Sequence, residues 1–261
     1  MKKLQEAINV DVRNWKSYNE PYEHVIIDDF FDESFAEFIA REFPSYDSET
    51  WTAFYNNPIE VKKLCNHWDK FPMHIYNAFT YFCSQEFNQI LAKHFNVDSL
   101  VPDYGLNGGG MHSHKRGGRL NIHKDYSIHP KINMMRHYNI IVYVTPNWKQ
   151  EWNGGLELWS HDEKTNKPKE LIKTIENKFN RAVIFNTTQN SWHGLPDPVT
   201  CPEGMSRNSL AAYYLCDAPE VTENRSKALY APTEDQKGDE KITELIKKRA
   251  SLVHAKEVYK K

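Results

Sequence analysis

The chain has 261 residues, 39% hydrophobic and 26% charged, enough to bury a sizeable core within one large domain. Its 33 lysines and arginines nearly balance 35 acids, leaving a formal net charge of -2. That argues against non-specific nucleic-acid binding, which needs a basic surface to displace counterions. No apolar run approaches the roughly 20 residues of a membrane span, and the start MKKLQEAINVDVRNW has no apolar stretch of a secretory signal. Cys65, Cys83, Cys201 and Cys216 form no CxxC pair, so the expectation is a cytoplasmic protein with reduced thiols and no membrane or nucleic-acid partner.

In chain order, residues 1–100 are expected to form a mostly helical support. The apolar run His24–Ile27 is followed by Asp32, a suitable N-cap for a helix over Glu33–Phe43. Pro72 then opens a longer helical segment, with Ile75, Phe79, Phe82, Phe87, Leu91 and Phe95 at helical spacing.

From residue 101 short apolar runs alternate with Gly, Pro, Asn or Asp. The strands expected are Gly110–His114, Arg119–His123, Tyr138–Thr145, Gly155–Ser160, Glu170–Ile175, Arg181–Asn186 and Asn208–Cys216. That interval suits a sandwich or barrel, with a jelly roll the leading form. Beyond Pro232, Ile242, Leu245, Ile246, Leu252 and Val253 can share one helical stripe. The fold class expected is mainly β with a helical layer (α+β). It divides into support at 1–100, a catalytic core at 101–218 and an extension with a helix at 219–261.

The chemistry starts from the histidines. Residues i and i+2 of a strand share a face, so His123 and Asp125, ending the run Leu120–Asp125, converge on one point. An imidazole and a carboxylate so placed are two thirds of the facial triad that holds non-haem Fe(II) with positions left open. A second copy, His67-Trp68-Asp69, falls in a segment read as helical, where i and i+2 diverge. A third ligand must come from a distant strand. His193 follows the apolar run Arg181–Asn186 after a polar turn; taken alone, it is a turn histidine satisfied by backbone. Further on, Arg207 and Ser209 share a face of the strand that continues through LAAYYLC. A buried guanidinium needs a carboxylate partner, and a dicarboxylate ligand supplies one where the protein does not.

In this order the pieces resemble the Fe(II)- and 2-oxoglutarate-dependent oxygenases, in their prolyl-4-hydroxylase-like branch with a double-stranded β-helix (jelly roll) core. The resemblance rests on HSHKRGGRLNIHKD, RHYNIIVYVTPNW, WNGGLELWS, FNRAVIFNTTQNSWHG and PEGMSRNSLAAYYL, with HVIIDDFFDESFAEFIAREFP as a weaker N-terminal match. It implies that His123, Asp125 and His193 hold Fe(II), and that the far carboxylate of 2-oxoglutarate pairs with Arg207 and Ser209. The implied reaction consumes O2, releases succinate and CO2, and hydroxylates an unactivated C–H bond. Retention of Asp125 speaks against halogenation, since halogenating relatives replace that carboxylate with a small residue.

Alternation on Tyr138–Thr145 puts Asn139, Ile141 and Tyr143 on one face. By resemblance this face looks into the barrel, where Asn139 and Tyr143 touch the cosubstrate; Tyr143 as plain core is the equal alternative. His114 stands about where related enzymes place a tyrosine that bonds 2-oxoglutarate. Arg136 is expected to face solvent, with anchoring of a substrate acid as the alternative, and Gly154-Gly155 to serve a turn. His112 and His114 also form a cupin-like HxH pair, with Glu157 or His193 as further ligands, but that reading leaves His123, Asp125 and Arg207 idle. The expected substrate is a small or carrier-borne polar metabolite, a sugar or amino-acid derivative. The alternatives are a prolyl or other protein side chain, and a non-catalytic jelly-roll module or 2-oxoglutarate sensor. Collagen-type prolyl hydroxylases carry lysine where this chain has Arg207, a departure that weighs against peptide prolyl hydroxylation. Substrate-groove walls are expected at Trp148–Trp152 and in the region before Gly108.

Overall fold

A computed structural model describes residues 12–187, 190–218 and 227–251. Its strands are β1 (Lys16–Tyr18), β2 (His24–Ile27), β3 (Ala53–Asn57), β4 (Glu60–Cys65), β5 (Val101–Pro102), β6 (Gly110–Lys115) and β7 (Arg119–Lys124). They continue as β8 (Met135–Tyr143), β9 (Leu156–Asp162), β10 (Lys167–Ile175), β11 (Ala182–Asn186), β12 (Trp192–Leu195), β13 (Ser206–Cys216) and β14 (Leu229–Tyr230). The helices are α1 (Glu33–Glu42), α2 (Met73–Phe82), α3 (Gln85–His94) and α4 (Glu240–Ala250).

The sheet runs in the order β1-β2-β11-β8-β13-β6-β4-β7-β12-β9-β10, with antiparallel pairing throughout. It curls on itself. Tyr143, Val183 and Phe185 from β8 and β11 pack against Leu156, Leu158 and Ile175 from β9 and β10, closing two walls over one interior. The other face of the first wall carries Ile140, Val142, Ile184 and Leu210, which meet Phe79, Phe82 and Phe87 of the helices in the main core. Cover on both faces of the sheet explains why β8 and β13 are buried along most of their length instead of alternating between buried and exposed. The double-stranded β-helix backed by helices is therefore the fold, as expected, and all seven expected strands are present to within a few residues.

Three local features depart from expectation. The segment after α1 is not helical: β3 and β4 form a hairpin, reversed where the Asn57 side chain accepts from the amides of Ile59 and Glu60. The long helix expected from Pro72 is two helices. Ser84 Oγ accepts from the Phe87 amide at 3.2 Å, and this cap starts a new helix that competes with continuation of the old one. The stretch around His193, expected as a turn, is the short strand β12, paired with both β7 and β9. Asp32 does cap α1, accepting from the Ser34 amide at 3.0 Å. In the C-terminal stripe Ile242, Leu245 and Ile246 lie on α4, while Leu252 and Val253 fall outside the described residues.

Candidate metal and cosubstrate site

β7 and β12 are neighbours in register, with His193 opposite His123. Asp125 follows immediately after β7. Two strands thus deliver three side chains, each less than a tenth exposed, and one ligating atom from each lies within 4.8 Å of the others. It is the only such group of three or more histidine, cysteine or acidic side chains among the described residues. The exposed pair His67 and Asp69, on a short turn, is not in it. His112 and His114 lie on β6 away from it, and Glu157, which accepts from Trp159 Nε1 at 2.8 Å, does not join them. The cupin-like set is not assembled.

Each imidazole of the triad is oriented from its own strand. The Nδ1 of His123 donates to the Asn121 carbonyl at 2.9 Å, and that of His193 to the Ser191 carbonyl at 2.9 Å. A carbonyl only accepts, so Nδ1 carries the proton and Nε2 keeps its lone pair. Those Nε2 atoms stand 3.8 and 3.9 Å from the two oxygens of Asp125. Burial, reinforced by neighbouring His193, holds His123 down to about 3, and burial likewise lowers His193. Burial works to raise Asp125, but the Arg136 guanidinium and the two imidazoles outweigh it and carry the carboxyl down to about 2. Two neutral imidazoles and a carboxylate are the protonation states a divalent metal needs, and the donor set fits Fe(II).

Arg136 does not face solvent. It is 2% exposed, with its guanidinium between the rings of Tyr126 and Tyr213, 3.5 and 3.4 Å from their centroids. From there Nη1 reaches Asp125 Oδ1 at 3.5 Å and Nη2 donates to the Asn107 carbonyl. The expectation failed because an arginine two residues before the expected run Tyr138–Thr145 carries no mark of burial; the stacking tyrosines, far apart in sequence, create its niche.

The second half of the site lies on β13, β6 and β8. Register sets Arg207 opposite His114, and Ser209 opposite both His112 and Tyr143. Arg207 is 2% exposed; its Nε donates to the Gly154 carbonyl at 2.6 Å and its Nη1 stands 3.5 Å from Ser209 Oγ. No carboxylate of the described residues lies within ion-pair distance of it. Gly154 does more than turn the chain: at φ +83°, a Cβ there would sit 2.9 Å from Arg207 Cδ. Beside the guanidinium the ring nitrogens of His114 and the Tyr143 hydroxyl are buried without hydrogen-bond partners, while the likewise unpartnered Asn139 Oδ1 lies further along β8, opposite Tyr213. Orphaned buried polar atoms beside an uncompensated cation are costly unless a ligand completes them. This donor set suits the far carboxylate of 2-oxoglutarate.

One cavity of about 440 Å³ joins the two halves, lined by His123, Asp125 and His193 at one part and by His114, Arg207 and Ser209 at another. Asn139, Ile141, Asn107 and Gly108 line it too. Trp148 and Trp152 do not; they pack with Leu195, Val199 and Cys201 in a separate cluster. The sequence reading missed Glu60, Lys62, Tyr230 and Arg249, which line the same cavity. The inward alternation of Glu60, Lys62 and Leu64 on β4 is a property of the fold; the charged run Glu60–Lys63 carries no apolar alternation that marks it in the sequence.

Comparison with known proteins agrees with this geometry. Residues 109–215 match the model of the 2OG-Fe(II) oxygenase superfamily. The fold resembles a Pseudomonas putida prolyl-4-hydroxylase, at a TM-score of 0.51 and 13% identity, over 74% of this chain and 91% of the other. It also resembles a Trichoplax adhaerens prolyl hydroxylase solved with a peptide fragment of the hypoxia inducible factor oxygen degradation domain. There the TM-score is 0.52 at 16% identity, over 82% of this chain and 89% of the other. Among curated proteins, mouse prolyl 3-hydroxylase OGFOD1 is 28% identical over 79 residues, 30% of this chain. The matched stretch spans 14% of that relative's length. The superfamily match thus covers residues 109–215, the stretch that carries His123, Asp125, His193, Arg207 and Ser209. The fold is similar to that of these prolyl hydroxylases, and the superfamily matched over residues 109–215 uses Fe(II), 2-oxoglutarate and O2. No helix of the described residues is long and apolar enough to cross a membrane.

Proposed function

We propose that the protein is a 2-oxoglutarate-dependent dioxygenase that hydroxylates an unactivated C–H bond of a small or carrier-borne polar metabolite, a sugar or amino-acid derivative. One observation carries the reading: a single cavity holds both a preset His-Asp-His cluster and a buried arginine that lacks a protein carboxylate. His123, Asp125 and His193 would hold Fe(II) through two Nε2 atoms and a carboxylate oxygen. Arg207 and Ser209 would take the far carboxylate of 2-oxoglutarate, with Tyr143, Asn139 and His114 completing its surroundings. Bound iron and cosubstrate would supply the O2 chemistry: substrate, O2 and 2-oxoglutarate give hydroxylated substrate, succinate and CO2. The chain's own work is to fix the ligands, hold Asp125 ionised through Arg136, and place the substrate against the metal.

A small polar substrate is supported by the charged lining of the remaining wall, which includes Glu60, Lys62 and Arg249. A prolyl side chain of a polypeptide is the second reading, favoured by the relatives, one of which was solved with a peptide. The deciding experiment is anaerobic. Fe(II) and 2-oxoglutarate are added to metal-free protein, and the weak visible charge-transfer band of the chelate is followed in wild type, Asp125→Ala and Arg207→Ala. The expected result is a band in wild type that weakens in both variants. A folded wild type without the band would sink the proposal.

A further inference from the structure

Lys62 lies inside the barrel. On β4 the inward side chains are Glu60, Lys62 and Leu64, and Leu64 pairs in register with His112 of the cosubstrate wall. Lys62 is 7% exposed and lines the cavity. Burying an ammonium is costly unless something answers its charge. Glu60 is the one carboxylate of the described residues within ion-pair distance, 3.1 Å from Nζ. Glu60 also serves others: the Tyr230 hydroxyl donates to its Oε2 from 3.4 Å, and Arg249 Nε lies 3.8 Å from the same oxygen. One acid divided among these groups does not neutralise Lys62 by itself, and the ammonium has three donors to place.

Its partners differ from those of the cosubstrate cation, which lies across β6 from it on β13. Lys62 is tied to Glu60, Glu60 to Tyr230, and the Tyr230 ring stacks on His123 with centroids 5.1 Å apart. Arg207 is held instead by Gly154 and Ser209. The charge of Lys62 is nonetheless central: after burial itself, it is among the cations that depress His112, His114, His123 and His193.

We propose that Lys62 anchors an oxyanion of the substrate, a carboxylate or phosphate, so that the molecule hydroxylated is a small anion held between β4 and the His-Asp-His cluster. Glu60 is the positioning residue that fixes the ammonium. This inference rests on the oxygenase reading and narrows its substrate class.

The test uses the intact protein with Fe(II) and 2-oxoglutarate. A small-molecule cell extract is split by anion exchange into anionic and unretained fractions, and a tryptic peptide pool is run beside them. Succinate release above the substrate-free background is measured for wild type, Lys62→Met and Lys62→Arg, with the anaerobic charge-transfer band as a separate readout. The anionic fraction is expected to stimulate wild type, Lys62→Met to lose at least tenfold of that stimulation, and Lys62→Arg to keep part of it. All three proteins keep the band. Phosphatase treatment of the fraction then tells a phosphate ester from a carboxylate. Stimulation only by the unretained or peptide pools, by no pool, or equally in Lys62→Met overturns the proposal. So does a band lost in Lys62→Met, which would assign the lysine to the cosubstrate. A wild type without the band would instead bring down the oxygenase reading and this inference with it.

Discussion

At the triad end of the cavity each imidazole donates to a carbonyl two residues back in the chain, whereas at the arginine end His114 and Tyr143 leave polar atoms buried and unanswered. The first region is completed by backbone that the β-sheet fixes anyway. The second is completed only from outside. A metal site needs ligands preset to a fraction of an ångström, and strand geometry supplies that without further parts. A cosubstrate site must desolvate and release a dianion at every turnover, so its protein groups stay partly unsatisfied until the ligand arrives.

If the two ends divide the work in this way, damage at one should leave the other standing. Arg207→Ala is the largest separable effect. Loss of one partner of a buried charge pair costs about 2–5 kcal/mol, on the order of 30-fold to several thousandfold in binding. The KM for 2-oxoglutarate should rise on that scale while affinity for a divalent metal, measured without cosubstrate, stays within about twofold. A parallel loss of metal affinity would show that the ends are one unit and break the comparison.

Arg136→Leu reverses the pattern with a smaller effect. Its guanidinium keeps Asp125 ionised from between two tyrosine rings. Outer-shell partners of metal ligands typically account for 10–100-fold in affinity. Metal binding should weaken by about that much, and 2-oxoglutarate affinity at saturating metal should change little. An unchanged metal titration would remove Arg136 from its positioning role.

How much of this was legible beforehand follows from the range of the interactions. The pairs His123/Asp125 and Arg207/Ser209 were readable because each keeps a two-residue step on or beside a strand with a strong apolar signal, whereas His193, on a strand read as a turn, was singled out only through the family resemblance. The faces of β8 were readable for the same reason, with Tyr143 and Asn139 lining the interior. Arg136, Lys62 and Gly154 were not. Arg136 depends on Tyr126 and Tyr213, Lys62 on a hairpin hidden in a charged stretch, and Gly154 on an arginine 53 residues away. Such neighbours are brought together by topology, which leaves no periodic trace. The break between α2 and α3 was missed for a local reason: Ser84 sits at a position where the apolar spacing of one helix runs smoothly into the next.

The smallest effect predicted concerns protons, and it tests whether the arginine end is as neutral as its empty partners suggest. His114 is pushed well below its usual range, first by burial and then by the Arg207 and Lys62 cations, so it stays neutral in the folded protein. In the unfolded chain it takes up a proton near pH 6.5. The unfolded state therefore binds more protons below that value, and the folded state loses stability as pH falls, by at most about 1.4 kcal/mol per pH unit for this group. The melting temperature of the metal-free protein should drop from pH 7.5 to 5, and His114→Gln should flatten that drop by one histidine's share. The other depressed histidines, His112, His123 and His193 among them, would supply the slope that remains. Equal slopes in wild type and His114→Gln would mean that His114 finds a proton partner in the folded cavity, and that the arginine end is less open than its geometry indicates.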